Sequence, residues 1–155
     1  MGMCTECNGL GTEPRPDPDL IVTNEDLSLL DGASPYYGEM RKKKSRKWEM
    51  QRLKRLAAAS DEMVDIDKPW KELPDSFRQM WLFGGKVKRG RNGYEGVVNE
   101  INRRFHQTQS EGARRWYAGF LSKQPCPACK GARMRPEAQS VKIAELGMQD
   151  VTAMT

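Results

Sequence analysis

All four cysteines of the chain fall in two short stretches, Cys4-Thr5-Glu6-Cys7-Asn8-Gly9-Leu10-Gly11 and Cys126-Pro127-Ala128-Cys129-Lys130-Gly131-Ala132-Arg133. In each, two residues separate the sulfurs and a glycine follows the second cysteine by two. A tight turn of that kind aims both thiolates at one point, and two such turns supply the soft ligands of a tetrahedral zinc site. The pattern predicts that Cys4, Cys7, Cys126 and Cys129 hold one Zn²⁺, which would contribute to folding as well as geometry. Ordinary ribbons and fingers space their pairs by roughly 12–20 residues. Here a domain-sized segment intervenes, which reads as an insertion between the halves of one zinc module.

Two other cysteine chemistries compete with zinc. A disulfide framework requires an oxidising compartment, and neither a secretory signal pattern nor the charge and polarity of the chain suggests one. A thioredoxin-like redox pair needs a C-x-x-C opening a helix after a strand, and no Val/Ile-rich run leads into either pair.

The elements that must position these residues are modest. At 155 residues, with hydrophobic residues at 37% and charged residues at 30%, the chain has room for a modest core and for one compact domain, or a small domain plus an appendage. No apolar run approaches the ~20 residues of a membrane span, so the expectation is a cytoplasmic protein without a membrane partner. The formal net charge of +5 favours anionic partners. It is unevenly placed: residues 13–31 are acidic, and the Lys/Arg excess begins afterwards.

Met1 and Gly2 read as an added start. Pro14, Pro16 and Pro18 argue against a helix, and Leu20-Ile21-Val22 suits a short strand. Asp26 to Gly32 reads as a helical turn or strand ended by glycine. A long helix is predicted from Pro35, with Met40, Lys44 and Trp48 on one side and Met50, Leu53, Leu56, Ala57 and Met63 continuing the stripe. Its first half carries Arg41, Lys42, Lys43, Lys44, Arg46 and Lys47, then Arg52, Lys54 and Arg55, with Glu49 alone opposing. Such a run is often a solvated face. One sign of charge repels itself, however, and an anion would relieve it.

Pro74-Asp75-Ser76 opens a second helix with Phe77, Met80 and Trp81 on one face, stopped by Gly84-Gly85. The segment Gly85 to Gly93, with Lys86, Lys88, Arg89 and Arg91, reads as a hairpin turn whose glycines permit close approach to phosphates. A third helix is expected over 94–107 with Val97, Val98, Ile101 and Phe105 inward and Arg103 and Arg104 near its end. A fourth, capped by Ser110, puts Ala113, Trp116, Tyr117, Phe120 and Leu121 inward and Arg114 and Arg115 outward. The aromatics of these stripes read as core rather than base-stacking platforms, and His106, the sole histidine, as a surface residue. A short strand is expected over Ser140 to Ile143, and the last residues read as a helix cut short. The fold class expected is mainly helical α+β, with a small antiparallel sheet near the zinc module. The boundaries expected are 3–12 and 125–145 for the two halves of that module, 13–124 for the insertion, and 146–155 for the start of a further segment.

Several of these residues together resemble UvrA, the ATPase subunit of bacterial nucleotide excision repair. They are C-x-x-C-x-G-L-G at Cys4, Asp17-Pro18-Asp19-Leu20, Leu27-Ser28-Leu29 with Asp31-Gly32-Ala33, Pro69-Trp70 and a Leu-Phe-Gly at 82–84. Further on come Tyr94-Glu95-Gly96-Val97-Val98, Arg103-Arg104, Thr108, Ser110-Glu111 and Pro125-Cys126-Pro127-Ala128-Cys129-Lys130-Gly131-Ala132-Arg133. The resemblance implies the insertion domain of the first ATPase half, standing on a zinc module, in a homodimer that binds damaged DNA and hands it to UvrB through a segment absent here. ATP would be bound only by the full-length parent: this chain has no G-x-x-x-x-G-K-[ST] loop and no signature motif.

Three functions then compete. The first is a DNA-binding module using Lys42, Lys43, Lys44, Arg46, Lys47, Lys86, Lys88, Arg89, Arg91, Arg103, Arg104, Arg114 and Arg115 on phosphates, which position a protein without reading sequence. The second is a zinc-stabilised protein-interaction module, of the DnaJ kind or in a UvrA-like paralogue outside repair. C-x-x-C-x-G-x-G is also the DnaJ repeat, but only the first stretch fits it. The third is an enzyme using Asp61, Asp65 and Asp67, for which the sequence supplies no nucleophile with a base partner.

Overall fold

The computed structural model of the chain describes residues 2–86, 93–139, 142–143 and 146–147. It is mainly helical α+β, as expected, and its contacts divide it into two units. One combines Met1–Arg15 with Ser122–Thr155, and the other is Pro16–Leu121.

The unit Pro16–Leu121 is built on an apolar core. Its first helix, α1 (Pro18–Ile21), stands where a strand was expected. Asp17 is its N-cap, the carboxylate accepting the Asp19 N–H at 3.0 Å, and Pro18 takes the first helical position. Proline has no N–H to lose there and its φ is already helical, so the residue that seemed to forbid a helix starts one. Residues 24–40 fold as turns rather than as a helix or strand, burying Leu29, Leu30, Ala33, Tyr36, Tyr37 and Met40.

The long helix expected from Pro35 is much shorter. Gly38 adopts φ +63°, the Asp31–Glu39 bridge holds the chain extended, and the Arg41 N–H donates to Leu30 O. These tertiary ties outcompete helix formation. A 3-10 turn follows at Lys44–Arg46, and α2 spans only Lys47–Ala59, burying Leu53 and Leu56. Two members of the predicted stripe lie outside the core: Trp48 is 65% exposed and Met63 99%.

Helix α3 (Asp75–Phe83) begins after Pro74 and stops at Gly84, as the sequence predicts, with Phe77, Trp81 and Leu82 buried. Helix α4 (Val97–Gln107) begins three residues later than expected, because Tyr94 is paired with Gly85 through bonds of 2.8 and 2.9 Å and Gly96 sits at φ +85°. Gly84 and Gly96 are in backbone contact. A Cβ on Gly96 would lie 2.3 Å from the Gly84 nitrogen, and one on Gly84 2.3 Å from Tyr94 O. Neither position tolerates a side chain, because both obstacles are backbone. Asn99 secures the same junction, its amide donating to Phe83 O at 3.0 Å and Glu95 O at 2.9 Å. The Gly85–Tyr94 pair matches the base of the expected hairpin; Lys88, Arg89 and Arg91 lie outside the described residues.

Helix α5 (Glu111–Ala118) is capped by Ser110, whose hydroxyl accepts the Ala113 N–H at 3.3 Å. Helix α4 packs against both α3 and α5. The expected inward stripe of α5 is looser than predicted: Phe120 is buried beyond the helix end, whereas Trp116 is 47% exposed, its ring stacked on Tyr36 at 5.3 Å.

Strand β1 (Thr12–Pro16) pairs with β2 (Leu121–Pro125). The Cys126 N–H donates to Gly11 O at 3.0 Å and the Asp17 N–H to Phe120 O at 2.9 Å, so the pair is antiparallel. A short helix, α6 (Pro136–Gln139), follows the second cysteine stretch, and β3 (Lys142–Ile143) pairs antiparallel with β4 (Leu146–Gly147). The strand expected over 140–143 is described at its last two residues, and the expected terminal helix lies outside the described residues.

Candidate functional site

The two cysteine stretches fold into turns of matching build. The Leu10 N–H donates to Cys7 O at 2.9 Å, and the Ala132 N–H to Cys129 O at 2.8 Å. The turns differ in one bond: Cys4 O accepts from Gly9, five residues on, and Cys126 O from Lys130, four residues on. In both, the two residues after the second cysteine adopt left-handed φ: Asn8 at 49° and Gly9 at 75°, Lys130 at 50° and Gly131 at 89°. The glycine two residues after the cysteine is therefore a structural signal. The stretches are tied together by the Cys4 N–H on Arg133 O at 2.9 Å and by the Met3–Met134 bridge.

The consequence is a four-sulfur cluster. Cys4, Cys7, Cys126 and Cys129 are all buried and unbridged, and their Sγ atoms lie within 4.8 Å of one another, Cys7 and Cys129 at 3.6 Å. A tetrahedral ion with Zn–S bonds of about 2.3 Å requires sulfurs about 3.8 Å apart. The cluster therefore fits a thiolate-bound ion of that size. Backbone donors favour thiolates too: the Gly11 N–H points at Cys7 Sγ at 3.2 Å, and the Cys7 N–H brings the Cys4 thiol down to about 7 against the opposing effect of burial. Four buried thiolates together repel one another unless a cation neutralises them.

The basic surface is less uniform than the sequence suggests. Lys42 pairs with Glu39 at 2.9 Å, which raises its pKa, and Arg46 pairs with Glu49 at 3.1 Å. Arg41 bonds Asp31 at 2.9 Å and also Asp67. Lys43, Lys44 and Lys47 are exposed and have no carboxylate partner among the described residues, and Lys86 is exposed. The arginines of the later helices are mostly engaged. Arg103 forks onto Glu95 at 2.6 and 3.0 Å, Arg104 reaches Glu100 at 3.1 Å, and Arg114 donates to Thr108 O at 3.0 Å. Arg115 and His106 are exposed.

Sequence reasoning missed the residue that organises much of this charge. Glu100 is 4% exposed, yet it receives Arg52 at 3.0 Å, Arg104 at 3.1 Å and the Tyr36 hydroxyl at 3.2 Å. Arg52 in turn lies over the rings of Tyr94 at 4.9 Å and Trp48 at 5.5 Å. The signal available was its place three residues after Val97 and four before Arg104, on the apolar face and at ion-pair spacing.

A helical unit, Pro16–Leu121, lies in the chain between the two halves of a unit that gathers four cysteines. The chain belongs to the UvrA DNA-binding domain family, whose model matches residues 17–119. Among its relatives, UvrABC system protein A of Micrococcus luteus is 35% identical over 99% of this chain and 16% of that protein. The same-named proteins of Clostridium perfringens and Thermus thermophilus are 33% and 34% identical, each over 99% of this chain and 17% of theirs. The chain thus spans about a sixth of the length of these relatives. Its fold is shared with the crystal structure of UvrA2 from Deinococcus radiodurans, with a TM-score of 0.62 and 23% identity over 96% of this chain and 20% of that one.

Proposed function

We propose that the chain is the DNA-binding domain of a nucleotide excision repair protein, supported by a zinc-bound cysteine module, and that it grips DNA through its phosphates. The observation that carries this is the set of exposed, unneutralised lysines, Lys43, Lys44 and Lys47, in a chain of this family. Lysine ammonium groups on an accessible turn and helix start can follow a phosphate backbone of any sequence, which suits a sensor of damage. Lys86 and the basic residues Lys88, Arg89 and Arg91 extend the reading to the adjoining glycine-rich segment, and Arg115 to α5. Lys42, Arg46, Arg103, Arg104 and Arg114, which have partners within the chain, would contribute less.

Cys4, Cys7, Cys126 and Cys129 would hold the zinc, which supplies folding free energy when bound. Four thiolates fill its shell, so the reading gives it no catalytic role. In the full-length protein the reading extends to a cytoplasmic, homodimeric ABC-type ATPase that passes DNA to UvrB through a segment outside this chain. The name UvrABC system protein A, borne by the relatives, supports it. The chain itself is expected to give background ATP turnover, since it carries no phosphate-binding loop.

Fluorescence anisotropy with a short labelled duplex across salt concentrations tests the reading. Affinity is expected to be roughly micromolar or weaker at physiological salt, falling log–log with a slope of about 0.9 per phosphate contact. Lys43, Lys44 and Lys47 changed together to Glu should weaken binding and flatten that slope by up to three such increments. A variant matching the parent in both affinity and slope would show that the lysines are merely solvated.

A further inference from the structure

Several large apolar side chains are exposed, and one of them, Trp48, adjoins the unpaired lysines. Trp48 stands in the first turn of α2, next to Lys47 and four residues after Lys44, and it is 65% exposed. An indole carries no charge, so it adds nothing to a phosphate grip.

Its orientation is set from below. The buried Glu100 carboxylate holds the Arg52 guanidinium at 3.0 Å, and Arg52 lies over the half-buried Tyr94 ring at 4.9 Å and over the Trp48 ring at 5.5 Å. Helical spacing of four residues puts Trp48 and Arg52 on the same side of α2. Arg52 thus links the Trp48 ring to Tyr94 and to the buried Glu100, and of the three linked side chains, Tyr94, Arg52 and Trp48, the indole is the exposed one. The guanidinium carbon lies 5.5 Å from the indole centroid, and the residue as a whole remains 65% exposed. A ring already ordered by a cation loses little further freedom when a second flat group stacks on it.

We propose that Trp48 is a stacking site for a nucleobase displaced from the duplex, resting on the DNA-binding reading above. Every base offers a π face, so such a contact is as indifferent to sequence as the phosphate grip. It is sensitive to structure, however, because a base in an intact duplex is already stacked on both sides and cannot reach the indole without being pulled out. The lysines beside it would hold the strand while the indole takes up a base that a distortion has loosened. The site would therefore confer a preference for distorted over intact DNA.

The experiment compares a fluorescein-labelled matched duplex with the same duplex carrying one bulged, unpaired base. The proteins are the 155-residue chain, Trp48→Ala, Trp48→Phe, and Lys43→Glu/Lys44→Glu/Lys47→Glu. The parent is expected to bind the bulged duplex more tightly. Trp48→Ala should lose that preference, about ten-fold or more on the bulged duplex, with matched-duplex affinity unchanged, and Trp48→Phe should retain part of it. The lysine variant should lose affinity for both duplexes alike. Intrinsic fluorescence that quenches on the bulged duplex in the parent but not in Trp48→Phe would support the stack directly.

Equal binding of both duplexes by the parent, or a Trp48→Ala loss that is the same on each, overturns the proposal. If Trp48→Ala matches the parent throughout while the lysine variant weakens, stacking fails and the phosphate reading stands. If the parent binds neither duplex, both fail.

Discussion

The two units solve the problem of a small core by different means. In Pro16–Leu121, buried Leu, Ile, Val and aromatic side chains form a continuous cluster that includes Phe77, Trp81, Val97 and Ile101. In the cysteine unit, the buried cluster among the described residues is the four sulfurs with Ala132 packed beside them. Four thiols and a methyl group remove little apolar area from water, at roughly 25 cal/mol per Å². The first unit is held by apolar burial, and the second, on the zinc reading proposed above, depends on what its thiolates bind.

Breaking that dependence should give the largest effect. Zinc binding contributes on the order of 10 kcal/mol in small zinc-finger peptides, so chelation, or Cys126→Ser, is expected to abolish the ordered structure of the cysteine unit. Elemental analysis of the parent should give one zinc per chain. Two calorimetric transitions are expected, of which Cys126→Ser removes the metal-dependent one and keeps the other. Two disulfides and no metal in the parent, or an unchanged melting profile in the variant, would sink this account.

The apolar unit has its own weak point, a buried charge. Glu100 is compensated by Arg52, Arg104 and the Tyr36 hydroxyl, and removing it leaves the partly buried Arg52 and the buried Tyr36 hydroxyl without that partner. Glu100→Ala should cost about 3–5 kcal/mol by chemical denaturation, mostly in this unit, and leave zinc stoichiometry unchanged. A loss of bound zinc of equal extent would show that the units do not differ as argued.

The same contrast explains what could be read in the sequence. The cysteine cluster was legible because metal ligation needs fixed residue types at fixed short spacings, and the matched glycines marked the left-handed turns. Helices α3 and α5 were legible because proline, glycine and a serine cap bound them locally. Residues 18–46 were not. There α1 depends on the Asp17 cap, while the turns depend on Asp31 meeting Glu39 and on burying adjacent Tyr36 and Tyr37. Apolar spacing alone cannot distinguish such turns from a helix. The charge of the lysine run was also misleading when counted along the chain, since Glu39 and Glu49 neutralise Lys42 and Arg46.

The smallest effect expected lies at the surface of the apolar unit. Arg103 forks onto Glu95, and this guanidinium is the main reason the Glu95 carboxyl titrates below its usual range. A carboxyl whose pKa is depressed on folding stabilises the native state above its unfolded pKa, and that contribution is lost as pH falls through the lower, folded value. Because both side chains are more than one-third exposed, solvent screening limits the pair to roughly 0.2–1 kcal/mol. Arg103→Ala should therefore be slightly less stable at neutral pH and converge with the parent in acid, below the usual carboxylate range. High salt should narrow the neutral-pH gap further. Denaturation midpoints measured from neutral pH into that range, at low and high salt, check this. A gap that persists undiminished in acid would mean that Arg103 acts by packing its methylenes on α4 rather than by charge.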